Sequence, residues 1–121
     1  MAAPVSRSLT LARSLLGQQV RVIVDHPLGS QHPRAGFVYE LNYGFLPDVP
    51  APDGEYLDAY LIGVDHPVID GDGRCVAIVH RLDDDDDKLI VSLDDRDRSD
   101  SELCGLVAFQ EAAHRHRLYR H

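Results

Sequence analysis

The sequence predicts a small β-barrel or curled sheet carrying one helix near its C-terminus. Five short strand-like runs follow one another, turn-forming residues separate them, and only the segment after Ser99 switches to helical periodicity. The chain of 121 residues is expected to form one domain over residues 1–121, burying roughly two thirds of the surface exposed in its unfolded form.

Residues 8–16 can form a short helix that stops before Gly17. Residues 18–25 then place Val20, Val22 and Val24 on one face, as a half-buried strand does. The stretch 26–33 is rich in turn formers, and further strands are expected at 36–43, 56–63, 74–80 and 88–93. Residues 94–101 are polar enough for an exposed connection. Ser99 and Glu102 then have capping-box spacing, and Leu103, Leu106, Val107 and Phe109 follow helical periodicity through about residue 116. A helix closing one end of the barrel would bury that stripe.

A hydrophobic fraction of 44% and a charged fraction of 26% are those of an ordinary folded domain. The net charge of −8 opposes binding to nucleic acid or to an anionic membrane, since phosphate backbones are held mainly by Lys and Arg. Local basicity is confined to residues 114–121, with Arg115, Arg117 and Arg120. The two cysteines, Cys75 and Cys104, have apolar neighbours and no CxxC spacing, so free thiols in a reducing compartment are expected. The run 9–16 is interrupted by Arg13 and reads neither as a signal peptide nor as a membrane span. A cytoplasmic location is expected.

Two acidic clusters carry the chemistry: Asp53-Gly54-Glu55-Tyr56-Leu57-Asp58, and the five aspartates 83–87 closed by Lys88. Paired carboxylates repel by about 4 kcal/mol at 4 Å in a medium of intermediate dielectric, so a folded cluster calls for a cation. In an extended chain Asp53 and Glu55 point to one side, and Asp58 can join them if Gly54 turns. Such a set suits magnesium, which prefers oxygen ligands and shares them with phosphate. A solvated acidic loop is the other reading of this cluster. For 83–87 the alternatives are an exposed charge run and a hairpin rim that presents carboxylates, with Lys88 supplying a phosphate-binding cation.

The third block is Tyr39-Glu40-Leu41-Asn42-Tyr43-Gly44-Phe45, where Tyr43 before a glycine can aim its hydroxyl into a cleft. Taken in order, Asn42-Tyr43-Gly44-Phe45, Asp53-Gly54-Glu55 with Asp58, and an acidic strand end followed by Lys88-Leu89 resemble soluble family I inorganic pyrophosphatases. The resemblance spans roughly residues 20–91. It implies an OB-like five-stranded barrel with a C-terminal helix, and magnesium-dependent hydrolysis of pyrophosphate with two or more ions.

By position the resemblance makes Asp53 and Asp58 metal ligands, Glu55 the counterpart of a water-activating aspartate, Tyr43 and Lys88 phosphate-binding residues, and Asp83 and Asp86 a second pair of metal ligands. Arg34 is the nearest substitute for the family's active-site arginine. The chain departs from the pattern in Glu55 for aspartate, in Tyr56 for proline, in a shorter segment before Tyr39, and near Ala113 and His114, where the family places Tyr-Lys. These departures leave two alternatives: hydrolysis of another small phosphoanhydride or phosphate ester, and a non-catalytic module that binds metal or phosphate. Family members commonly self-associate, so a homo-oligomer is a further expectation.

Overall fold

A computed structural model describes residues 7–50, 54–83 and 86–121. Among them the chain forms α1 (Arg7–Ser14), β1 (Gln19–His26), β2 (Asn42–Pro50), β3 (Tyr56–Ile62), β4 (Asp70–Arg81), β5 (Asp87–Ser92), α2 (Asp100–Glu111) and β6 (His116–Arg120). The strands lie in the order β1-β2-β3-β5-β4-β6, and β1 also pairs with β4. That extra pairing closes the first five strands into a barrel, as the OB-like expectation requires. The parallel pair β3–β5 is flanked by antiparallel neighbours.

Closure depends on β4, which meets β1 over Asp70–Arg74 and β5 and β6 further along. A register shift between Cys75 and Ala77 bends it between these tasks. Gly44 permits the close approach of β2 to β1, because a Cβ there would lie 1.8 Å from the Ile23 carbonyl oxygen.

Alternation sorts the side chains onto two faces. Val22, Leu46, Leu57, Ala59, Leu61, Cys75, Leu89 and Val91 fill the barrel interior, joined by Leu9 and Ala12 of α1. The intervening Tyr43, Tyr60, Ile62, Ala77, Val79 and Ile90 form an outer cluster covered by Leu103 and Val107 of α2. Thus α2 covers the outer wall, whereas the helix that contributes to the interior is α1. β3 and β5 are buried on both sides, which explains their nearly continuous apolar runs.

The expected second strand, 36–43, is displaced to Asn42–Pro50. Asn42 anchors its start: its Oδ1 accepts from the backbone N–H groups of Leu28 (3.0 Å) and Val68 (3.1 Å), and its Nδ2 donates to the His66 carbonyl at 2.9 Å. Residues 37–41 precede β2 as a loop, in which Val38 forms an isolated antiparallel bridge with Gln31 and Tyr39 exchanges backbone bonds with Gly29 and Ser30. α2 begins with the expected capping box, in which the Glu102 N–H donates to Ser99 Oγ at 3.1 Å and the Ser99 N–H to Glu102 Oε1 at 3.3 Å. It ends at Glu111 rather than near 116, and His116–Arg120 instead pairs with the outer half of β4. Leu118 and Tyr119 then reach opposite clusters, as successive residues of a strand do.

Cys75 and Cys104 are free thiols, and burial pushes the Cys75 thiol up to about 12. No helix among the described residues is long and apolar enough to cross a membrane.

Candidate functional site

The outer face of the barrel, beside the end of α2, carries the polar exception to its own apolar pattern. Tyr43 on β2, Asp58 on β3, Arg81 at the end of β4 and Lys88 on β5 all line one cleft of about 650 Å³. The 26–39 loop contributes His26, His32, Phe37 and Tyr39, and α2 with its following turn contributes Phe109, Gln110, Ala113 and His114.

Lys88 organises this surface. It is the register partner of Asp58 in the parallel pair, so both side chains leave the sheet together. Its Nζ donates to the Tyr43 hydroxyl at 2.7 Å, to Asp86 Oδ2 at 3.0 Å and to Asp58 Oδ2 at 3.3 Å. The lysine side chain is only 4% exposed, whereas those of Asp58 and Asp86 are 40% and 45% exposed. Two carboxylates are therefore aimed at one point while still open to solvent. Burial raises the Tyr43 pKa well above its ordinary value, and the neighbouring Asp58 charge adds to the effect. The phenol stays protonated and acts as a hydrogen-bond donor toward Asp58.

Behind Lys88 lies a second ionic unit. Arg81 grips the fully buried Glu111 with Nε at 2.8 Å and Nη2 at 3.1 Å, and the Tyr60 hydroxyl also donates to Glu111. Burial alone would raise the Glu111 pKa, but the bonds from Arg81 and Tyr60 outweigh it and hold the carboxyl below its ordinary value. Arg81 Nη1 stands 3.8 Å from Asp86, on the cleft side of this unit. Its forked grip fixes the guanidinium plane beside Lys88.

Of the residues singled out in the sequence, Tyr43, Asp58, Asp86 and Lys88 converge. Asp83 lies at the rim, where His114 Nδ1 approaches its Oδ2 at 3.1 Å. Glu55 and Arg34 are exposed and are not among the cleft-lining residues. The Arg34 backbone N–H closes a turn on His32 Nδ1 at 3.1 Å. Asp53, like Asp84 and Asp85 of the acidic run, lies outside the described residues. Among the described residues no three histidine, cysteine, aspartate or glutamate side chains gather as a metal-binding group.

Sequence reasoning overlooked Arg81, Tyr60, Glu111 and Gln110. The signal for two of them was phase. Arg81 continues the alternate positions Ala77 and Val79, and Glu111 continues the helical spacing Leu103 and Val107, so each is a charge written into an apolar face. Such charges need partners, and these two are partners of each other.

No protein-family model matches the chain, and no curated protein matches it. Solved structures do. An inorganic pyrophosphatase from Ehrlichia chaffeensis superposes with a TM-score of 0.67 at 18% identity, over 87% of each chain. One from Neisseria gonorrhoeae gives 0.60 at 22% identity, over 77% of this chain and 72% of that one. One from Thermus thermophilus gives 0.57 at 18% identity, over 84% and 80%. The chain has the OB-like barrel fold of these inorganic pyrophosphatases.

Proposed function

We propose that the protein hydrolyses inorganic pyrophosphate to two phosphates with the help of magnesium. The observation that carries this reading is the convergence of Asp58 and Asp86 on the Lys88 ammonium, at 3.3 and 3.0 Å, in a cleft that also holds Tyr43 and Arg81. The fold shared with inorganic pyrophosphatases supports it.

Asp58 and Asp86 are half-exposed carboxylates, hard oxygen donors of the kind magnesium takes. Asp58 and Asp86 would hold it, with Asp53 and Asp83 as further ligands. Bound magnesium would supply charge neutralisation at the phosphoryl oxygens and a more acidic water. Lys88 would grip phosphate oxygens as a point charge, and Arg81, whose fork holds Glu111, would add its Nη1 on the cleft side. Tyr43, kept protonated, would donate a hydrogen bond to the same group. Glu55 and Arg34, exposed and outside the cleft lining, are given no step in this reading. Such positioning and charge stabilisation constitute most of the catalysis available to phosphoryl transfer.

A second reading, a phosphate-binding module without turnover, is favoured by the lack of a three-residue ligating group among the described residues. Phosphate release from pyrophosphate by the purified protein separates the two. Release that requires magnesium and stops with chelator supports hydrolysis, and binding of pyrophosphate without release across several metals and pH values supports the module.

A further inference from the structure

The cleft offers more than a bare phosphoanhydride can use. Its volume of about 650 Å³ falls in the range of roughly 300–1,000 Å³ typical of sites for organic small molecules. A path of aromatic rings leads outward from the cationic floor. Lys88 Nζ lies 5.3 Å from the centre of the Tyr43 ring, and Tyr39 follows at 5.6 Å from Tyr43. Phe37 and Phe109 stand 5.2 and 5.9 Å from Tyr39, both half-buried and both lining the cleft. Pyrophosphate, a small and strongly hydrated anion, gains nothing from that wall.

Gln110 supplies the second observation. Its side chain hydrogen-bonds Tyr43, while its Oε1 is buried without a hydrogen-bond partner. A buried acceptor left unsatisfied costs about 1–3 kcal/mol. The oxygens of an ionised phosphate are themselves acceptors, so inorganic pyrophosphate does not relieve this atom. A ligand that carries an N–H does.

From the cationic floor, the aromatic wall and the orphaned acceptor together, we infer that the cleft takes a nucleoside polyphosphate. Its phosphates would lie on Lys88 and Arg81, its base against the edge formed by Phe37 and Phe109, and one N–H of the base on Gln110 Oε1 once the half-buried Gln110 side chain turns toward the cleft it lines. The inference rests on the phosphate-binding half of the proposed function and adds an organic group to the same anhydride. Hydrolysis of that anhydride forms a P–O bond to the oxygen of water and breaks the bridging P–O bond. The departing phosphate keeps the bonding pair, and the protons of water pass to it and to solvent.

Calorimetry with two unhydrolysable probes tests this: methylenediphosphonate, and the same group esterified to adenosine, guanosine, cytidine or uridine. At least one nucleoside probe is expected to bind about ten-fold more tightly than methylenediphosphonate. Phe37→Leu and Phe109→Leu should each shrink that advantage while leaving methylenediphosphonate affinity within about two-fold, since leucine keeps an apolar side chain at each half-buried position and removes only the ring. Gln110→Leu should weaken the nucleoside probe more than the bare one. Equal affinity for all probes, or equal loss for both kinds in the leucine variants, would overturn the inference while leaving pyrophosphate binding intact. Failure of every probe to bind would remove the phosphate-binding reading as well.

Discussion

Asp58 and Lys88 are partners twice over, as facing residues in the parallel β3–β5 pair and through a side-chain contact of 3.3 Å. The backbone register places a half-exposed carboxylate beside a buried ammonium, so the geometry of the cleft is built into the sheet.

The first prediction concerns Lys88→Met. Its removal leaves Asp58 and Asp86 without their shared cation, but both are open enough for water to take over, so the expected stability change is within about 1 kcal/mol. Pyrophosphate affinity should fall by about ten-fold or more. Urea unfolding and calorimetry read the two effects separately.

Glu111 behaves in the opposite way. It is fully buried, so Glu111→Leu removes the carboxylate that Arg81 grips in a fork and that Tyr60 donates to, and is expected to cost about 3–5 kcal/mol. The double variant with Arg81→Met should recover most of that loss, because no buried charge is then left unpaired. Denaturant midpoints of the three variants check the coupling.

The same residue gives the fold an acid limb. The Glu111 pKa is lower in the folded protein than its ordinary 4.5, because the bonds from Arg81 and Tyr60 outweigh burial. Its contribution is therefore fully present above the unfolded value and is lost as pH falls through the folded one. Stability measured from pH 7 down to pH 3 should decline, and Glu111→Gln should flatten the decline.

The barrel was legible because the alternation in residues 18–25 and the apolar runs in 56–63 and 88–93 are local signals, and the Ser99–Glu102 box marked the start of the second helix. β2 was misplaced because its start is fixed by bonds from Asn42 to Leu28, Val68 and His66, partners distant in sequence. β6 was missed because its pairing with β4 supplies what its own short pattern lacks. In the site, Tyr43, Asp58, Asp86 and Lys88 stood out as polar motifs. The Arg81–Glu111 pair did not, since only the folded chain brings residues from β4 and α2 together.

Magnesium should stabilise the protein through Asp58 and Asp86. At about a hundred times its dissociation constant a ligand specific to the folded state adds roughly 2.7 kcal/mol. For a domain near this size that raises the melting temperature by on the order of 10 °C. Sodium chloride at matched ionic strength should give a smaller shift, because it only screens. Asp58→Asn together with Asp86→Asn should abolish the excess.

If the carboxylates gathered at Lys88 support hydrolysis, the rate of phosphate release from pyrophosphate in magnesium must differ between the natural protein and Asp58→Asn of matched melting temperature. The predicted result is chelator-sensitive release by the natural protein, reduced by on the order of a hundred-fold in Asp58→Asn. Equal rates in the two proteins, or no release above buffer from the natural protein, would contradict that role.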